Sequence, residues 1–124
     1  MDARVSTTIA YMKDNLRREV RVTGLSPSIN LSSSRLRHVF TAETGVSPGR
    51  YLHMLRMKQA RELLETTFLT VKEITSLVGM RGESHFVQAF KQTFGLTPAG
   101  YRREYLRGTN VTNPWPDSGS QLTT

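Results

Sequence analysis

An all-α fold is predicted for this chain, on three observations. Apolar residues recur at spacings of three and four along most of the sequence, and no segment keeps the period-two alternation of a strand. The breaks between these stretches carry helix-stop and helix-start residues, a glycine followed by Ser-Pro or Thr-Pro. One block is written twice: FTAETGVSPGRY, Phe40 to Tyr51, returns fifty positions later as FKQTFGLTPAGY, Phe90 to Tyr101.

Taken in order, Val5 to Val20 reads as a helix, with Ile9, Met12 and Leu16 at helical spacing. Gly24 breaks the chain; Ser26 and Pro27 open a short helix that ends near Asn30. Ser32 or Ser33 starts the next helix, which buries Leu36, Val39 and Phe40 and stops at Gly45. Ser47-Pro48 begins a longer helix to about Thr66. Its buried side is Tyr51, Leu52, Leu55, Ala60, Leu63 and Leu64, with Met54 and Met57 at the edges. Thr70 and Glu73 form a capping box for a helix with the stripe Val71, Ile74, Leu77 and Val78, ended by Gly79. A helix from about Glu83 to Thr93 carries Phe86, Ala89 and Phe90, and Gly95 closes it. Thr97-Pro98 opens a last short helix through Tyr105 or Leu106. The sequence from residue 108 onward is rich in Gly, Pro, Ser, Thr and Asn and reads as a disordered tail in which the lone Trp115 marks no site.

The repeat gives this series its organisation. At the offset of fifty, Ser34, Leu36, Phe40, Gly45, Ser47, Pro48 and Tyr51 match Ser84, Phe86, Phe90, Gly95, Thr97, Pro98 and Tyr101. Upstream the offset falls to 49, where Leu25, Ile29 and Asn30 match Ile74, Val78 and Gly79. Each copy is a short helix, a tight turn and a longer helix, which is the helix-turn-helix pattern. The expected domain is residues 1–107, with a first unit at about 21–46, a linker helix at 48–66 and a second unit at about 70–106.

The face of each second helix opposite its apolar stripe is the candidate site. In the first copy it presents Ser34, Arg37, His38 and Thr41; in the second, Ser84, Val87, Gln88 and Lys91. Arginine pairs bidentately with guanine, glutamine with adenine, and valine meets a thymine methyl, so both stripes suit a major groove. The linker helix spans roughly 28 Å at 1.5 Å per residue, against about 34 Å between successive major-groove faces. From Ser32 to Arg61 the cations Arg35, Arg37, Arg50, Arg56, Lys58 and Arg61 face one acid, Glu43. That excess fits phosphate contact. The phosphate candidates are Ser33, Arg35, Thr41, Arg50, Lys91, Thr97, Arg102 and Arg103, together with the helix starts near Ser47 and Thr97.

Composition points the same way. The formal net charge is +7 and the pI about 10.4, which favours a polyanionic partner. Hydrophobic residues are 37%, below the usual globular share, so part of the chain is expected to be loose. There is no cysteine, hence no disulfide and no thiolate metal site. No apolar run is long enough to cross a membrane and no signal-peptide core is present, so a cytoplasmic chain is expected. His38, His53 and His85 lie at no ligand spacing, and the sequence has no Gly-rich phosphate loop and no evident carboxylate pair. No enzyme activity, metal or cofactor is therefore expected.

The stretch SHFVQAFKQTFGLTPAGYRR, Ser84 to Arg103, resembles the AraC/XylS family of bacterial transcription regulators, whose pattern is Phe-x-x-x-Phe-[Lys/Arg]-x-x-Phe-Gly-x-[Ser/Thr]-Pro-x-x-Tyr-Arg. The segment YLHMLRMKQARELLETTFLTVKEITSLVGM resembles the family's linker helix and the helix that follows it, and the whole resemblance runs from about Ile9 to Arg103. It implies seven helices in two helix-turn-helix subdomains joined by a linker helix, reading double-stranded promoter DNA. It also implies transcription activation through contact with RNA polymerase, and, in most members, an effector-sensing or dimerisation domain that is not visible here. Base-reading positions implied by it are Ser34, Arg37 and His38 in the first unit and Glu83, Ser84 and Gln88 in the second. Ser26 and Thr75 stand where alanine is common, Met80 where phenylalanine is usual, and Asn30 where glycine is usual. Two other readings stay open: a protein-interaction fragment of a larger regulator, and a non-specific architectural DNA binder.

Overall fold

A computed structural model describes residues 2–18 and 32–108. All regular structure among them is helical: α1 (Ala3–Asp14), α2 (Ser33–Thr44), α3 (Pro48–Thr66), α4 (Val71–Leu77), α5 (Glu83–Phe94) and α6 (Pro98–Leu106). The short helix expected at Ser26 to Asn30 and all but the first residue of the tail expected from residue 108 lie outside the described residues, so six of the seven expected helices are described. The chain divides into two compact units, Met1–Leu55 and Arg56–Thr124.

In the first unit, α1 begins at Asp2, whose side chain accepts from the Arg4 amide, and it buries Val5, Thr8, Ile9 and Met12. The helix is shorter than the expected span to Val20. It stops at Asp14 because Asn15 leaves helical geometry and turns its amide Nδ2 back onto the Tyr11 carbonyl at 2.8 Å, a local alternative to the helical ladder. Helix α2 starts where expected, with the Ser32 hydroxyl accepting from the Arg35 amide at 3.1 Å. It buries Leu36 and Phe40 and ends at Gly45, whose φ of 83° belongs to the left-handed region. The Phe40 ring meets Tyr51, on the first turn of α3, edge to face at 5.4 Å.

The second unit repeats that construction. Helix α5 buries Phe86, Phe90 and Phe94 and ends at Gly95 with φ 84°. The Thr97 hydroxyl caps α6 by accepting from the Gly100 amide at 3.1 Å, and Phe90 meets Tyr101 edge to face at 5.7 Å. The matched Phe and Tyr of each copy thus make the same ring contact, the arrangement that the aromatic quadrupole favours. The core around them holds Met57, Ala60, Leu64, Ile74, Val78 and the three phenylalanines of α5. Met57, expected at the edge of its helix, is completely buried, while Leu63 is only half-buried.

Helix α4 opens on the expected capping box. The Glu73 amide donates to the Thr70 hydroxyl at 3.1 Å, and the Thr70 amide donates to the Glu73 carboxylate at 2.9 Å. The helix ends two residues before Gly79, at Leu77. The Met80 amide then donates to the Thr75 carbonyl and the Gly79 amide to the Ser76 carbonyl, both at 3.1 Å. This crossed pair is a Schellman closure, which takes the chain out of the helix sharply and into the turn before α5.

Candidate nucleic-acid interface

The apolar periodicity of α2 fixes which side chains face outward. With Leu36 and Phe40 inward, Ser34, Arg37, His38 and Thr41 are all exposed. Along α5 the rings of Phe86, Phe90 and Phe94 take one side, leaving Glu83, Ser84, Gln88 and Lys91 exposed. Val87 is half-buried, because at 100° per residue it falls between the phenylalanine row and the outer face. The structure therefore brings Ser34, Arg37 and His38 to the outward face of α2 and Ser84 and Gln88 to that of α5, with Val87 at its edge and Glu83 exposed on the first turn. Each face is backed by a ring that cannot shift without disturbing its Phe–Tyr contact.

The predicted phosphate residues divide. Arg35, Thr41, Arg50, Lys91 and Arg103 are exposed, and Ser33 is half-buried on the first turn of α2. The starts of α3 and α6 already use some of their amides internally. The Arg50 amide donates to the Ser47 hydroxyl, and the Gly100 amide to Thr97. These are self-capped helix starts rather than open rows of donors. Thr97 itself is half-buried, with its hydroxyl taken by the cap.

Two arginines are engaged within the second unit. The Arg102 guanidinium reaches inward across the unit. Its Nε donates to the Leu64 carbonyl at 3.1 Å, its Nη2 to Thr67 at 3.1 Å and Leu63 at 3.5 Å, and its Nη1 to Leu69. Those carbonyls end α3 and form the connection to α4, so Arg102 serves as a helix cap supplied from α6. Arg61, counted above among the phosphate-facing cations, is buried. Its guanidinium lies 5.8 Å from the centre of the Phe94 ring, and its Nε is 3.9 Å from the Glu65 carboxylate. The same carboxylate accepts from the Tyr101 hydroxyl. Burial, and then that carboxylate, push the Tyr101 phenol well above its ordinary range. Arg56 is half-buried, and loss of hydration pulls its guanidinium below the ordinary range.

Both arginines left a signal in the sequence. Arg61 lies four residues after Met57 and three before Leu64, on the buried stripe of α3. Arg102 stands fifty positions after Leu52, which is buried. The repeat itself therefore marks position 102 as facing inward.

No group of three or more His, Asp or Glu side chains among the described residues could hold a metal ion. No helix among them is long and apolar enough to cross a membrane.

Comparison with known proteins gives the arrangement a family. A helix-turn-helix domain family matches residues 25–104. The HTH-type transcriptional regulator YdiP of Escherichia coli (strain K12) is 32% identical over 104 residues, covering 84% of this chain and 34% of that protein. The HTH-type transcriptional activator RhaR of Pectobacterium carotovorum subsp. carotovorum (strain PC1) is 36% identical over 77 residues, covering 62% of this chain and 27% of that protein. The chain thus spans about a third or less of the length of these curated relatives. Among solved structures, the DNA-binding domain of AdpA, a global transcriptional factor in complex with a target DNA, superposes with a TM-score of 0.78 at 27% identity. That superposition covers 84% of this chain and 94% of the AdpA chain. With a family match over most of its length and a fold shared with such a domain, the chain belongs to the AraC-type helix-turn-helix family of transcription regulators.

Proposed function

We propose that the chain is a sequence-specific reader of double-stranded DNA that regulates transcription by placing α2 and α5 in adjacent major grooves. The observation that carries this reading is the pair of outward polar faces on repeat-equivalent helices, Ser34, Arg37, His38 and Ser84, Gln88, each backed by the same Phe–Tyr ring contact. In this proposal each unit is a helix-turn-helix, and α3 is the linker between them. Its 19 residues give roughly 28 Å at 1.5 Å per residue, a length that suits two grooves one helical turn, about 34 Å, apart. The similarity to AdpA, whose DNA-binding domain was solved on a target DNA, supports DNA as the partner.

Arg37 reads a guanine and Gln88 an adenine, with Val87 at a thymine methyl. Arg35, Arg50, Lys91 and Arg103, with Ser33 and Thr41, hold phosphates and set the register. Glu83 on the first turn of α5 accepts from a cytosine amine. The regulator acts as an activator at promoters, a role supported by the similarity to the activator RhaR, and does so through contact with RNA polymerase. Selection of bound sequences from a random duplex pool, followed by footprinting, tests the proposal. A bipartite site with half-sites one turn apart is expected. Binding that disappears in competitor DNA at moderate salt identifies a non-specific binder instead, and no binding at all identifies an interaction fragment.

A further inference from the structure

The connection between α3 and α4 is held in an unusual way. The middle residue of the Thr67–Leu69 segment, Phe68, is 95% exposed, so the apolar core does not anchor this stretch through its largest side chain. Leu69 reaches the core only as a partly buried neighbour. The Thr67 hydroxyl holds the segment locally, donating to the Leu63 carbonyl and accepting from the Leu69 amide, and one guanidinium ties it to α6: Arg102 donates to the carbonyls of Leu63 and Leu64 in the last turns of α3, and of Thr67 and Leu69 beyond it. The next residue, Thr70, is the N-cap of α4. One residue before Arg102, Tyr101 packs its ring on Phe90 of α5 and gives its hydroxyl to Glu65 of α3.

From this geometry we infer that Arg102 is a positioning residue for the second DNA-reading helix. It ties the end of α3, the start of α4 and the helix that buttresses α5 to one rigid point. The fork of an arginine is needed because four carbonyls must be met by one planar set of donors. The positive charge also sits at the C-terminal end of α3, where the helix dipole favours it. The first unit has no such device at the equivalent position, where Leu52 fills the site with an apolar side chain. This inference about α5 rests on the proposed DNA reading, whereas the clamp itself does not.

The full chain with Arg102→Lys, Arg102→Met and, as control, Arg103→Ala separates the possibilities. In the free protein, amide hydrogen exchange across residues 67–78 is expected to quicken about tenfold or more in both Arg102 variants, since tenfold corresponds to ~1.4 kcal/mol. Exchange in α2 is expected to stay unchanged, and Arg103→Ala is expected to leave both regions alone. Lysine keeps the charge but not the fork, so it does not rescue. If Arg102→Met fails to fold, Arg102→Lys carries the same test. Unchanged exchange, or full rescue by lysine, overturns the clamp.

On DNA, the Arg102 variants are expected to lose base preference at the second half-site with an unaltered salt slope, while Arg103→Ala lowers the slope by about 0.9. A slope that falls by that amount in Arg102→Met and returns in Arg102→Lys reassigns Arg102 to phosphate. Absence of any sequence preference in the unaltered chain removes the DNA reading but leaves the exchange result, and the clamp, in place.

Discussion

Arg37 is the side chain on which the proposed reading of the first half-site most depends. It is exposed on the outer face of α2, while Leu36 beside it is completely buried. Bidentate recognition of one guanine by arginine is typically worth about 1–3 kcal/mol, so Arg37→Ala should weaken binding to the selected site by that amount and relax base choice at a single position. Binding titrations against a panel of single-base variants check this; an equal loss on every sequence assigns Arg37 to the backbone. Phe90 tests the inward side of the same geometry. It is completely buried and touches Phe86, Phe94 and Tyr101. Phe90→Ala should destabilise the protein by about 3–5 kcal/mol through lost transfer energy and the cavity left behind, read from denaturant unfolding. A near-neutral result contradicts the assignment of faces on α5.

At the scale of helices, the caps are the features most open to test. Thr70→Ala removes the hydroxyl that receives the Glu73 amide and should cost about 0.5–2 kcal/mol, measured by thermal melting. The Glu73 carboxyl is held below its ordinary value, first by the Thr70 backbone amide and then by the Thr70 hydroxyl. A depressed carboxyl stabilises the fold above its unfolded pKa, and that contribution is lost as pH falls through the folded value. Stability should therefore decline on acidification below the ordinary glutamate range, and Glu73→Gln should flatten that part of the profile.

Helix boundaries set by Ser-Pro, Thr-Pro and the Thr70–Glu73 box were readable in advance because each is a local interaction between residues at most four apart. The end of α1 was not, because Ile9, Met12 and Leu16 keep their spacing past the point where Asn15 breaks the ladder. Arg61 escaped for another reason. Periodicity places it on the inner stripe of α3, but a charge on a long apolar stem reads as surface until its neighbours are known.

At the scale of the whole chain, the written repeat was the most legible feature. It predicted two glycine helix stops and two outward polar faces, and each pair is present; the matched Phe and Tyr turn out to make the same ring contact in each copy. The copies differ at Leu52 and Arg102: the repeat marks the position as inward, but a guanidinium on a long stem reads as surface by residue type alone. Two readers on one chain make a specific demand on the DNA. The direct measurement is footprinting of the selected site at single-nucleotide resolution, with the unaltered chain, Arg37→Ala and Gln88→Ala. The account predicts two protected segments about one helical turn apart, with Arg37→Ala relaxing sequence preference in one and Gln88→Ala in the other. A single protected segment affected by both substitutions, or protection that neither alters, contradicts it.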